Sequence, residues 1–262
     1  GQQFYWQADL EHAKYIVSVG SNLVEANYGP TNQSVRLAPR LASGEAKLVV
    51  VNPRFNKAAS KAYRYLPVKP GTDGAFFAGI IQWLIRNQKY DAKYLACANK
   101  AAAMAVGEPT WSNATWLVKM NPDGTPGKFL RAHEVGLAPE EARMDKEGKL
   151  HQFEYLVVMH EGKPVAVDPN DEKNAVTGDL FVDTEIEGYR VKSALQIVAD
   201  AANAKTLDEW AQICGVPPQE IATVAEELAQ HGKKGVVDVH RGVAQHTNGF
   251  YNVVSAMNIN LL

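Results

Sequence analysis

Residues 47–86, KLVVVNPRFNKAASKAYRYLPVKPGTDGAFFAGIIQWLIR, decide the fold class. Lys47–Val51 is an apolar, β-branched run closed by Asn52-Pro53-Arg54, which predicts a buried strand entering a turn. Lys57–Tyr63 predicts a short helical stretch and Tyr65–Val68 a third brief strand. Pro70-Gly71-Thr72-Asp73 then opens an apolar helix over Gly74–Arg86, with Thr72 or Asp73 as its N-cap. Toward the N-terminus, Ala13–Val19 (AKYIVSV) predicts another buried strand, closed by Gly20-Ser21-Asn22. A helix follows over Thr31–Leu41, with Gly44 as its stop. Strands and helices joined by short connections are the pattern of a Rossmann-like, doubly wound parallel α/β sheet.

Beyond residue 95 the rhythm breaks. From Asn99 to Tyr189 turn chemistry recurs at short intervals, as in Gly107-Glu108-Pro109, Asn121-Pro122-Asp123-Gly124, Glu147-Gly148 and Glu161-Gly162. Strand-like runs such as Phe153–Met159 and Pro164–Val167 lie between these turns, so residues 96–200 are expected to form an irregular, β-rich insertion. Regular elements return over 201–262. Thr206-Leu-Asp-Glu209 is a capping box ahead of a helix bearing Trp210, Ile213 and Cys214. Pro217-Pro218 open another helix with Ile221, Val224, Ala225 and Leu228 at helical spacing, and Gly232 just past its end. Gly235–Val239 predicts a strand leading into the loop His240–Gly249. The domain expectation is therefore 1–95 Rossmann-like, 96–200 insertion, and 201–262 part of a second α/β domain.

Composition narrows the function classes. With 46% hydrophobic and 21% charged residues, the 262-residue chain has the apolar mass for a sizeable core. Its 27 basic and 29 acidic residues leave a net charge of −2, with no pull toward nucleic acid or anionic membrane. The apolar run Ala75–Ile85 is about half the roughly 20 residues a membrane helix needs, so it is expected to be a buried helix. Cys97 and Cys214 form no CxxC pair. A start at Gly1 and an apolar close, NVVSAMNINLL, suggest a piece of something longer.

The chemistry-bearing residues cluster at predicted strand ends. Gly20-Ser21-Asn22 stands where a doubly wound sheet places its ligand crevice, as a phosphate loop or a plain turn; it lacks the full GxGxxG pattern. Asn52 occupies the position where a nicotinamide-dependent domain carries an acidic residue for the ribose, which disfavours such a dehydrogenase. Arg54 offers a phosphate contact or a surface ion pair. Asp73 either belongs to a turn and cap or accepts paired N–H donors of a base such as guanine. His240, Arg241, Gln245, His246 and Asn248 gather in one loop with Gly242 and Gly249, either solvated or wrapped around a heteroatom-rich cofactor. His240 and His246 have no third ligand at a metal-site spacing, and His12, His133, His151, His160 and His231 form no metal motif, so no metal site is expected. No nucleophile elbow, Walker loop or carboxylate pair appears, and no catalytic residue is assigned.

The succession AKYIVSVGSN, LVVVNPRFNKAASKAYRYLPVKPGTDGAFFAGIIQWLI, LDEWAQICGVPPQEIATVAEELA and VVDVHRGVAQHTNG resembles the molybdopterin oxidoreductase family typified by dimethyl sulfoxide reductase. The likeness covers about residues 8–95 and 205–262. Within the family, GKPVAVD, GDLFVD, YRVKSALQI and HRGVAQHTNGFYN are similar to the tetrathionate reductase branch and its neighbours, the arsenate and thiosulfate or polysulfide reductases.

The resemblance implies a bis(molybdopterin guanine dinucleotide) cofactor with molybdenum or tungsten. Gly20, Ser21 and Asn22 would lie near a diphosphate, Asn52 and Arg54 near ribose and phosphate, and Gly71, Thr72 and Asp73 at the guanine. Arg241, Gly242, Gln245 and His246 would approach the pterin. Asn52 departs from the commoner Asp, which puts a carboxylate-to-ribose bond in doubt. A [4Fe-4S] cluster and the metal-ligating cysteine would belong to a preceding stretch, since neither Cys97 nor Cys214 stands in a matching context. This segment alone would be inert. Its parent would reduce tetrathionate to thiosulfate in anaerobic respiration, on the periplasmic side of the cytoplasmic membrane, with iron-sulfur and membrane-anchor subunits as partners. A non-catalytic nucleotide-binding module is the alternative of another class.

Overall fold

A computed structural model describes residues 8–24, 32–145 and 147–262, with side chains from residue 35 onward in the first helix. In chain order the elements are β1 (Tyr15–Val19), α1 (Asn32–Ala42), β2 (Lys47–Val51), β3 (Arg64–Leu66), α2 (Asp73–Arg86), α3 (Ala92–Leu95) and α4 (Lys100–Ala105). There follow β4 (Leu117–Met120), β5 (Pro126–Phe129), β6 (Glu141–Met144), β7 (Leu150–Phe153), β8 (Leu156–His160), β9 (Lys163–Val167), β10 (Asp183–Ile186) and β11 (Tyr189–Ser193). The chain closes with α5 (Ala194–Asn203), α6 (Leu207–Cys214), α7 (Pro218–His231), β12 (Gly235–Val239), α8 (Arg241–Ala244) and α9 (Gly249–Leu261). It divides into two compact units, residues 1–90 with 202–262, and residues 91–201.

In the first unit, four described strands form a parallel sheet in the order β12-β1-β2-β3. β1 is central and buried along all five residues, as its β-branched run demands. On one face Ile16, Leu48 and Val50 pack with Leu37 of α1. On the other, α7 lies against β1 and β12, α9 against β12, and α2 against α6, α7 and α9. The hydroxyl of Tyr15 donates to Glu227 of α7 at 2.7 Å, tying that layer to the sheet. The capping box at Thr206 forms: its hydroxyl accepts from Glu209 N–H at 3.2 Å, and the Glu209 carboxylate accepts from Thr206 N–H at 2.7 Å.

Two expectations change here. The sequence pattern assigns segment 201–262 to a second α/β domain, but β12 pairs in parallel with β1 over five residues, in the sheet of the N-terminal elements. The N–H and C=O edge of β1 away from β2 needs a partner, and β12 supplies it. The helical stretch over 57–63 contracts to a 3₁₀ turn at Ala59–Lys61, and Tyr63 N–H instead bonds the Leu48 carbonyl at the entry to β3. The predicted start of the first helix, Thr31, lies outside the described residues.

The second unit carries the irregular stretch. Its described strands form an antiparallel sheet in the order β10-β11-β4-β5 and two hairpins, β6-β7 and β8-β9. Leu117, Leu130, Val157 and Val191 form one core, and Ala98, Trp116, Val158 and Val167 another. The strand expected over Phe153–Met159 is split: β7 ends at Phe153 and β8 begins at Leu156, in different hairpins. No helix among the described residues is long and apolar enough to cross a membrane.

Candidate functional site

β1 and β12 end side by side, at Val19 and Val239. The chain leaves β1 toward β2 on one side, while β12 lies on the other, so the strand ends form a topological switch point, where open α/β sheets bind ligands. The two loops that leave this point meet backbone to backbone. Gly20, at φ +59°, accepts from Gly242 N–H at 3.2 Å and donates its own N–H to the Val51 carbonyl at 3.0 Å. A Cβ on Gly20 would stand 2.9 Å from Val243 N, and one on Gly242 only 2.5 Å from Gly20 O, so any side chain would force the loops apart.

Ser21, next in the loop, is buried, and its hydroxyl has no hydrogen-bond partner among the described residues. A buried hydroxyl without a partner is a group awaiting one. Asn22 is exposed, and its side-chain oxygen accepts from Asn56 Nδ2. Asn56 also accepts from Ala59 N–H at 2.8 Å, capping the 3₁₀ turn. Sequence reasoning missed Asn56; the one available signal was an Asn immediately ahead of a short helical stretch.

At the end of β2, the Asn52 side-chain oxygen accepts from Arg54 N–H at 3.0 Å, so that of its amide only the NH₂ donors are left for a ligand. Arg54 is exposed, with no ion-pair partner among the described residues. In the next turn Gly71 has φ +76°, and a Cβ there would lie 3.6 Å from His246 Nδ1. Thr72 occupies the N-cap of α2 but does not cap with its side chain. Its hydroxyl donates back to the Lys69 carbonyl at 2.7 Å. Asp73 is buried at the first position of α2. Burial pushes its carboxyl above the usual range, opposed by its own backbone amide and by the nearby His246.

The segment expected as a loop over 240–249 contains a helical turn, α8, and α9 already begins at Gly249. Gln245 N–H closes α8 on the Arg241 carbonyl at 3.0 Å, while the Gln245 and His246 side chains are exposed. Burial and the neighbouring Arg241 charge hold the His240 imidazole below its ordinary range, favouring the neutral ring. A Cβ on Gly249 would lie 1.9 Å from Ala244 O, so only glycine fits between α8 and α9.

The structure thus joins Gly20 with Gly242, and Gly71 and Asp73 with His246, while Asn52 and Arg54 stand at the end of β2, the other neighbour of β1. Backbone amides, a partnerless hydroxyl, a guanidinium and a buried carboxyl suit a ligand with phosphates and a hydrogen-bonding base. Both thiols are buried and raised by burial, Cys97 donating to Lys93 O and Cys214 to Ala211 O. Neither presents the thiolate that a metal ligand requires.

A family model described as molybdopterin oxidoreductase matches residues 1–262. The chain belongs to that family. Among curated molybdopterin relatives it is 43% identical over 244 residues to a selenate reductase subunit of Mesobacillus selenatarsenatis, covering 93% of this chain and 22% of that protein. It is 34% identical to a tetrathionate reductase subunit of Archaeoglobus fulgidus, covering 98% and 21% of the two chains. The corresponding Salmonella typhimurium subunit is 31% identical, covering 97% and 24%. This chain therefore spans between a fifth and a quarter of these relatives. Acetylene hydratase from Pelobacter acetylenicus shares the fold, with a TM-score of 0.55 at 16% identity over 97% of this chain and 22% of that one. The residues present fit a molybdopterin-type group: the Ser21 hydroxyl lacks a partner among the described residues, and the Gly20–Gly242 junction leaves backbone in place of side chains at the switch point.

Proposed function

We propose that this segment grips one end of a bis(molybdopterin guanine dinucleotide), carrying molybdenum or tungsten, within the catalytic subunit of a reductase for a sulfur or selenium oxyanion. When bound, that group supplies the electron transfer at its metal. This chain's residues bind and orient. Ser21 and Asn22 offer donors to a diphosphate, and Gly20, its own N–H held by the Val51 carbonyl, lets the backbone come close to it; Arg54 adds positive charge; the Asn52 amide donates toward a ribose; Asp73 accepts from guanine N–H groups across the turn of Gly71 and Thr72. Gly242 keeps the second loop close, and Arg241, Gln245 and His246 face the pterin from it. The observation that carries this reading is the Gly20–Gly242 closure at the switch point beside the Ser21 hydroxyl, which has no partner among the described residues.

Two substrates are favoured over the arsenate and thiosulfate or polysulfide alternatives. The 43% identity to a selenate reductase subunit supports selenate, and the 31–34% identities to tetrathionate reductase subunits support tetrathionate. The reading extends to an iron-sulfur cluster elsewhere in the parent, iron-sulfur and membrane-anchor subunits as partners, a periplasmic site, a role in anaerobic respiration, and no activity from this segment alone.

The test uses the full-length parent purified without oxygen from a host able to assemble the cofactor. Molybdenum or tungsten, iron, and GMP released on acid hydrolysis are the expected contents, with reduced viologen oxidised on adding selenate or tetrathionate. A folded parent with neither metal nor GMP overturns the reading and leaves the nucleotide-binding module.

A further inference from the structure

Among the described residues, His133, Glu140 and Glu154 are the one group of three metal-ligating side chains with a donor atom from each within 4.8 Å of the others. All three belong to the second unit, and all are partly exposed. The hairpin register brings the carboxylates together. Glu141 pairs with Phe153, so Glu140 and Glu154 flank that pair at the open end of the β6–β7 hairpin. His133 comes from a separate element, the 3₁₀ turn Ala132–Val135. That turn is pinned by Ala132 N–H on the Tyr155 carbonyl at 2.9 Å and by Arg131 N–H on Glu134 Oε2 at 2.8 Å.

Each carboxylate has one oxygen held from behind. Glu140 Oε2 accepts from Gln152 Nε2 at 2.7 Å, and Glu154 Oε2 faces Arg131 Nε at 3.5 Å. The other oxygens turn toward the ring, Glu140 Oε1 standing 3.4 Å from His133 Nε2 and Glu154 Oε1 3.8 Å from Nδ1. Outer partners that fix ligand orientation are the arrangement metal centres use. A tetrahedral zinc ion, with bonds of about 2.0–2.1 Å, needs donors about 3.4 Å apart. A side-chain adjustment of about an ångström, within the rotamer freedom of exposed side chains, would close the set on one imidazole nitrogen.

We infer that His133, Glu140 and Glu154 form a surface site for a divalent transition-metal ion of the zinc class, bound through one imidazole nitrogen and two carboxylates with a position left for water. The two carboxylates bring two negative charges, of which Arg131 offsets one, so the ion meets a net attraction. The site is independent of the switch-point loops and takes a different ligand class.

Zinc chloride titrated calorimetrically into the 262-residue chain, with cobalt(II) visible absorption in parallel, tests this. One equivalent is expected, with the d–d bands of a low-coordinate cobalt site. His133→Ala and Glu140→Gln should each weaken binding about tenfold or more, and Gln152→Ala about tenfold through the lost outer hydrogen bond. His160→Ala, whose ring Nδ1 lies 2.9 Å from the Thr177 carbonyl, should leave binding unchanged. Folding of each variant is checked by circular dichroism. Zinc bound equally by wild type and His133→Ala, or no equivalent taken up by the folded wild type, overturns the proposal and leaves His133 as an imidazole bridging two carboxylates.

Discussion

At the end of β12, Asp238 stands in register with Ser18 of β1, on the same face as Ile16. Ser18 is fully buried and its hydroxyl has no partner among the described residues, and burial pushes the Asp238 carboxyl up from 3.8 to about 6. The folded state therefore holds more protons than the unfolded state between pH 3.8 and about 6, and its stability falls as pH rises through that window. Above it, a charged, half-buried carboxylate is kept at constant cost. Asp238→Asn, neutral throughout, should stabilise the chain at pH 7 by on the order of 2 kcal/mol, an advantage that fades by about pH 4. Urea midpoints at the two pH values check this; equal midpoints for the two proteins at pH 7 would contradict it. Neither Ser18 nor Asp238 stands out in the sequence, because each sits inside a run that otherwise spells a buried strand. The glycines at 20 and 71 are legible from their turns, whereas the contact of Gly20 with Gly242 depends on a strand pairing that no local pattern encodes.

Among the elements, α2 is the most fully buried helix, with Phe76, Phe77 and Ile80 at zero exposure. Gln82 interrupts this apolar surface without leaving the interior. Its Nε2 donates to the Ala202 carbonyl at 2.9 Å and the Lys205 carbonyl at 2.5 Å, tethering residues 202–205 to α2. Gln82→Leu would keep the volume but leave the Lys205 carbonyl without its side-chain donor, while Trp210 Nε1 still donates to the Ala202 carbonyl at 2.9 Å, at about 1–3 kcal/mol. Thermal unfolding of the variant should show a lower midpoint, and an unchanged midpoint would mean water replaces the amide. The sequence predicts β2 and β12 to their final residues, and α7 with all four of its apolar positions buried, since long apolar runs bounded by turn residues leave little ambiguity. The short strands of the second unit are harder, because Pro126–Phe129 and Glu141–Met144 are partly exposed and carry weak alternation. The His133 cluster is invisible in the sequence because the hairpin register brings its two carboxylates together and a separate 3₁₀ turn brings the imidazole to them.

For the whole molecule, the first unit is assembled from the two ends of the chain, with residues 91–201 leaving and rejoining it between. Without β12, β1 would become an edge strand and lose a partner along all five residues, and the α7 and α9 cover would go with it. A polypeptide of residues 1–90 alone should therefore be insoluble or unfolded, while co-expression with 202–262 should return a soluble complex of both pieces. Size-exclusion chromatography with circular dichroism decides this, and a stably folded 1–90 piece on its own would refute it.

The pairing of β12 with β1 also sets an order of events during synthesis. More than 200 residues separate Val19 from Gly235, so at roughly 5–20 residues per second the ribosome needs on the order of 10–40 s between completing one strand and the other. Throughout that interval β1 waits with one edge open, and the junction of Gly20 with Gly242 does not yet exist. Any group held at that junction can be gripped only once the chain has been made past Gly242 and β12 has paired with β1.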